Sequence, residues 1–77
     1  MAVQAYVFIE TTLGKPTQVR NAIAKLPEVK MAHAVTGSYD VIAFVEVEDV
    51  VALGELISHV VHRLPGVLKT TTNIVVG

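Results

Sequence analysis

Glu28–Glu48 reads EVKMAHAVTGSYDVIAFVEVE, and this stretch decides the fold. Val29, Met31, His33 and Val35 alternate against Lys30, Ala32, Ala34 and Thr36, the period-two signature of a strand over Glu28–Thr36. Gly37-Ser38 follows. Between two strand-like runs it signals a two-residue hairpin, because Gly supplies the positive φ such turns require. Tyr39–Glu48 is the returning strand, with Val41, Ala43, Val45 and Val47 on one face and Ile42, Phe44, Glu46 and Glu48 on the other.

On either side of this hairpin the period changes to that of a helix. Upstream, Pro16 suits a first helical position, and Val19, Ala22, Ile23 and Leu26 recur at helical spacing until Pro27 stops the run. Downstream, Asp49 is an N-cap for a helix of about 15 residues with Val50, Leu53, Leu56, Ile57, Val60, Val61 and Leu64 along one stripe. Glu55, Ser58, His59 and His62 lie opposite, and Pro65-Gly66 ends the helix. Two outer β-branched runs, Val3–Thr12 and Val67–Val76, complete the order β-α-β-β-α-β. This is the α+β, ferredoxin-like plan, a four-stranded antiparallel sheet with two helices on one face.

The composition puts a strain on that plan. The 77 residues make one domain, 1–77, with 52% hydrophobic residues but only 17% charged, against an average of about 25% charged. Val3, Ala5, Val7 and Ile9 share one face of the first strand, yet Tyr6 and Phe8 occupy the other. If the helices cover one face, a second apolar set remains, a contiguous patch larger than a monomer normally shows. We therefore expect a second copy to pack sheet against sheet as a dimeric α/β barrel.

Other classes are excluded or disfavoured. The formal net charge is -1 and the basic residues Lys15, Arg20, Lys25, Lys30, Arg63 and Lys69 are scattered, so the footprint of a nucleic-acid binder is missing. There is no cysteine, no basic leader before Val3, and no apolar run of the roughly 18 residues a membrane span needs. A cytoplasmic protein without membrane contact is expected.

Val35-Thr36-Gly37-Ser38-Tyr39-Asp40-Val41 resembles the Gly-x-(Tyr/Phe)-Asp turn of the effector-binding domain, the "regulation of amino-acid metabolism" (RAM) module, of the leucine-responsive/asparagine (Lrp/AsnC) regulator family. Leu64-Pro65-Gly66-Val67 followed by Thr70-Thr71-Thr72 is similar to that family's Leu-Pro-Gly-Val…Thr-x-Thr segment, and the match covers essentially the whole chain. Members normally carry an N-terminal helix-turn-helix domain, whereas here Met1 leads straight into the first strand, so a stand-alone module is expected. The resemblance implies a homodimer, assembly of dimers into a ring (an octamer or similar), and a small amino acid bound at subunit contacts. It carries over no direct DNA binding.

The candidate ligand residues are Gly37, Ser38, Tyr39 and Asp40, with Thr70 and Thr72 second. Exposed turn N–H groups can receive a carboxylate and the Asp40 carboxylate an ammonium, and an amino acid presents both groups on one carbon. A hairpin with no ligand explains the same turn, and three threonines on an edge strand need no function. By resemblance, the turn, Asp40 and the pair Thr70 and Thr72 are where the family's ligand contacts lie. Glu55, His59 and His62 share a helical face, but a solvated surface outweighs a metal site there, since one helix leaves a metal open and unsupported. His33 reads as a packed or interface histidine rather than a base.

Ser38 and Ser58 have no base and orienter beside them, and Gly14-Lys15 lacks the rest of a phosphate loop. No catalytic constellation, cofactor or metal is expected. Two alternatives stand beside the amino-acid sensor: a small cofactor-free oxygenase or isomerase with a pocket between sheet and helices, and a pure oligomerisation scaffold.

Overall fold

A computed structural model describes residues 2–77. The strands are β1 (Val3–Thr11), β2 (Val29–Ala34), β3 (Val41–Val47) and β4 (Val67–Ile74), and the helices are α1 (Pro16–Ala24) and α2 (Val50–Glu55). α2 runs on into a π turn, Leu56–Val60, and a 3-10 turn, Val61–Arg63. The strands form one antiparallel sheet in the order β2-β3-β1-β4, which with the two helical segments is the ferredoxin-like fold.

The register decides which side chains share a face, because directly opposed residues point the same way. Val7 stands opposite Ala43 and Thr72, and Phe8 opposite Ile42 and Thr71. One face therefore carries Ala5, Val7, Ile9, Val41, Ala43, Val45 and Val47, all buried against Val19 and Ile23 of α1 and Leu53, Leu56 and Val61 of the second helical segment. The other face carries Tyr6, Phe8, Met31, His33, Ile42 and Phe44, all half-buried or exposed, with Tyr6 and Phe44 in tilted ring contact at 4.9 Å.

Several elements differ from the sequence expectation, each for a local reason. In β2 the register slips between Val29 and Met31. Val29 therefore joins Ala32 and Ala34 on the helix face while Met31 and His33 turn to the open face, and strict alternation from Val29 fails. α1 ends at Ala24 rather than Leu26. Lys25 and Leu26 instead close a tighter turn, the Leu26 N–H donating to the Ile23 carbonyl at 3.0 Å, because a residue preceding proline is pushed out of the helical region. All four strands are one or two residues shorter at an end than expected: β1 stops before Thr12 and β4 before Val75, β2 loses Glu28, Val35 and Thr36, and β3 loses Tyr39, Asp40 and Glu48.

The second helix shows the largest departure. Asp49 does cap it, its carboxylate accepting the Ala52 N–H at 2.7 Å. The single apolar stripe does not hold, however. Val50 is 61% and Val60 36% exposed, whereas Val61 is 1% exposed. Val50 lies at the exposed first turn, and the π turn accounts for the rest: one extra residue per turn rotates the chain by about 100°, so Leu56 is followed on the buried side by Val61, five residues on, and Val60 is carried outward.

At Gly66 the backbone has φ +94°, and a Cβ there would lie 3.0 Å from Val19 Cγ2 and 3.2 Å from Lys15 Cβ. Only glycine lets the Leu64–Val67 turn close against the start of α1, where the Thr12 N–H donates to the Gly66 carbonyl at 2.8 Å. At the edge of the sheet, Arg20 Nε of α1 donates to the Ala32 carbonyl of β2 at 2.9 Å. Among the described residues, no helix is long and apolar enough to cross a membrane.

Candidate functional site

The connection between β2 and β3 is wider than the two-residue turn read from Gly37-Ser38. The Val35 N–H donates to the Asp40 carbonyl at 2.8 Å, which closes a loop of Thr36, Gly37, Ser38 and Tyr39. Gly37 takes the positive φ, +112°. Two contacts hold the loop open. Tyr39 folds back over the open sheet face, its ring 5.2 Å from that of Phe8. Asp40 turns inward at the end of the sheet: its N–H donates to the Ile9 carbonyl at 2.9 Å, and its Oδ2 accepts the Thr11 N–H at 2.8 Å. Asp40 thereby takes over the ladder of β1 and β3 where the two strands part. Among the described residues Oδ1 has no hydrogen-bond partner.

This arrangement leaves a row of donors. Among the described residues the N–H groups of Gly37, Ser38 and Tyr39 find no hydrogen-bond partner, and Gly37 and Ser38 are exposed. Successive unpaired N–H groups beside a carboxylate oxygen can take an anion and a cation held close together.

Thr70 and Thr72 are not brought to the same spot. Thr70 stands opposite Ile9 and Thr72 opposite Val7, so both point to the helix side of β4, half-buried, with β1 between them and the loop. The Val75 N–H donates to the Gln4 carbonyl, which fixes the alternation along β4 and leaves the N–H and C=O of Thr70 and Thr72 facing outward from the sheet edge. Thr71 lies on the open face opposite Phe8.

Thr11 joins the site only through the fold. It is 8% exposed and its hydroxyl oxygen is buried without a hydrogen-bond partner, immediately beside the Asp40 anchor. The signal was present, since Thr11 continues the inward-pointing series Ala5, Val7, Ile9 with a polar side chain. His59 and Glu55 form an exposed pair at 3.9 Å. Among the described residues no group of three His, Cys, Asp or Glu is placed to hold a metal ion.

A family model described as the Lrp/AsnC ligand binding domain matches residues 4–77. The leucine-responsive regulatory protein of Escherichia coli (strain K12) is 38% identical over 74 residues, covering 90% of this chain and 45% of that protein. The chain thus spans less than half the length of this curated relative. A solved structure from Thermus thermophilus, TTHA0845, has a TM-score of 0.91 at 32% identity and covers 97% of this chain and 94% of that one. A transcriptional regulator from Neisseria meningitidis, solved as a complex with L-Met, shares the fold with a TM-score of 0.83 at 23% identity, over 97% of this chain and 50% of that one. With a family model spanning nearly its whole length, this chain belongs to the Lrp/AsnC ligand-binding domain family.

Proposed function

We propose that the chain is a non-enzymatic, amino-acid-sensing module that works as an oligomer, with a small amino acid held where copies meet. The observation that carries this is the Thr36–Tyr39 loop of a ligand-binding-domain chain, with free N–H groups beside the unused Oδ1 of Asp40. The α-carboxylate of the ligand sits on the N–H groups of Gly37, Ser38 and Tyr39, and its ammonium on Asp40. Thr70 and Thr72, across β1 from this loop, serve a ligand held by a neighbouring copy, so the site is complete only in the assembly.

The apolar open face supports pairing of two sheets as the first step of assembly, with dimers joining into a ring. Large side chains of both helical segments, Ile23, Leu53 and Leu56, pack on the sheet where an oxygenase or isomerase pocket would lie, which favours sensing over catalysis. The module itself makes no contact with nucleic acid or membrane. It works in the cytoplasm and passes its state to a protein partner.

A thermal-shift and calorimetric screen of the twenty amino acids tests this. A ligand at 100 times its dissociation constant should add about 2.7 kcal/mol. Asp40→Asn is the informative variant, because an amide oxygen can still accept the Thr11 N–H while the charge is lost. It should retain the fold and lose the response. No response to any amino acid sinks the sensing role, and an undiminished response in Asp40→Asn sinks the assignment of the site.

A further inference from the structure

Between α1 and the outer edge of β2 lies a pocket of about 120 Å³, lined by Arg20, Ala24, Val29, Lys30, Met31 and Ala32. At about 30 Å³ for each molecule of liquid water, it has room for roughly four. Ala24, Val29 and Met31 give it apolar walls, and both of its charged groups are cations.

β2 supplies its donors through a local irregularity and through the strand's free edge. The register passes from Val29 opposite Val45 to Met31 opposite Phe44, so Lys30 is the extra residue of a bulge, the feature that re-aims a side chain at a sheet edge. Further along, the Val35 N–H points inward to the Asp40 carbonyl, and alternation turns the N–H and C=O of Ala32 outward. Arg20 takes that carbonyl. Among the described residues the Ala32 N–H has no partner.

α1 supplies a half-buried guanidinium. Arg20 Nε donates to the Ala32 carbonyl at 2.9 Å and Nη1 to Asn21 Oδ1 at 3.1 Å. The second N–H of Nη1 and both of Nη2 remain for another acceptor. No carboxylate answers the charge: among the described residues the ion pair is His59–Glu55, on the second helical segment. Lys15, Arg20, Lys25 and Lys30 all fall between Thr11 and Met31. The one acidic residue in that stretch, Glu28, lines a different groove beside Glu46 and Glu48. A partly desolvated cation without a counter-charge is costly, and an anion in the pocket removes that cost through charge-assisted hydrogen bonds.

The geometry points to a binding site for a phosphate group. The Arg20 fork holds two of its oxygens, and the Lys30 ammonium and the Ala32 N–H hold the rest. A carboxylate, with fewer oxygens, leaves a donor unanswered. The size of the pocket admits free phosphate or a phosphomonoester whose short stem lies on Ala24 and Met31. The site stands at the start of β2, whereas the Thr36–Tyr39 loop follows its end, so it is independent of amino-acid binding.

Titration of sodium phosphate into the isotopically labelled full chain, followed by NMR at an ionic strength held constant with chloride, tests it. The Ala32 and Lys30 amide resonances should shift saturably, with acetate binding about tenfold more weakly or worse. Lys30→Gln and Arg20→Gln should each weaken phosphate binding by about tenfold or more, the loss of a charge-assisted bond. Lys30 is exposed, so Lys30→Gln keeps the fold where Arg20→Gln loosens the β2 edge, and circular dichroism checks both. Glycerol phosphate measured beside inorganic phosphate separates the sources: tighter binding of the ester assigns an organic ligand, and equal or weaker binding assigns free phosphate. No saturation at any phosphate concentration, shifts that chloride reproduces, acetate as tight as phosphate, or unchanged affinity in either folded variant overturns the proposal. Each of those results leaves the amino-acid response untouched.

Discussion

The two faces of this sheet are made by alternate residues of the same strands and follow opposite rules. On the helix side, β1 and β3 place Ala5, Val7, Ile9, Val41, Ala43 and Val45, small or β-branched and each no more than 1% exposed. On the open side the same strands place Tyr6, Phe8, Ile42 and Phe44, larger and only partly covered, beside Met31 and His33 from β2. Small aliphatic side chains suit a layer pressed between sheet and helices, where packing density is high and a methylene matters. Broad aromatic side chains suit a surface that meets a partner, since they bring large contact area at low entropic cost. The open face thus gathers one contiguous part of the composition's apolar surplus, in Tyr6, Phe8, Met31, Ile42 and Phe44.

That contrast can be broken by experiment. Ile9→Ala, at a position with no exposure, should cost about 2–5 kcal/mol in denaturant unfolding through lost transfer energy and a cavity. Phe44→Ala, on the open face, should act on association instead, weakening the proposed sheet-paired dimer by about 2 kcal/mol, or roughly thirtyfold, in dilution experiments. A larger effect of Phe44→Ala on unfolding of the dissociated chain than of Ile9→Ala would erase the distinction between the faces.

Where the faces meet, at the end of β1, the predictions become finer. Asp40→Ala strands the Thr11 N–H and should lower thermal stability by about 1–3 kcal/mol, with Asp40→Asn losing much less. Thr11→Val replaces an unpaired buried hydroxyl with a methyl of similar shape. It should leave stability unchanged or raise it by up to about 1 kcal/mol, measured by chemical unfolding. A loss of stability in Thr11→Val would mean that the hydroxyl has a partner in the assembled protein.

Much of this was legible in the residues, and the exceptions have physical causes. Element order followed from period changes at Gly14, Pro27, Gly37 and Pro65, and Asp49 announced its cap because N-capping is local chemistry. Which sheet face the helices cover was not legible in β1, where both sets are apolar. Only the packing of Val19, Ile23 and Leu53 against Val7 and Ile9 decides it. The width of the hairpin is not legible in the turn itself, because the Tyr39–Phe8 contact and the Asp40–Thr11 bond act across strands and widen a turn that local propensity makes tight. The π turn at Leu56–Val60 escaped for a related reason, since a pattern with apolar residues at 56, 57, 60 and 61 satisfies an α-helix equally well. In the candidate site, the loop residues were visible as turn chemistry, but the separation of Thr70 and Thr72 from them by β1 is a property of strand order.

The Arg20 guanidinium on the Ala32 carbonyl has a consequence for aggregation. An exposed sheet edge is a template on which further strands can grow, and fibrous growth needs two such edges on every unit. Arg20 occupies an outward-facing acceptor in the middle of β2, while the outward groups of Thr70 and Thr72 leave the β4 edge open. A unit with one blunted and one available edge can join a single neighbour through its backbone and then has nothing left to extend. A chain this rich in β-branched residues therefore carries its own brake on runaway strand addition, built from one arginine of α1.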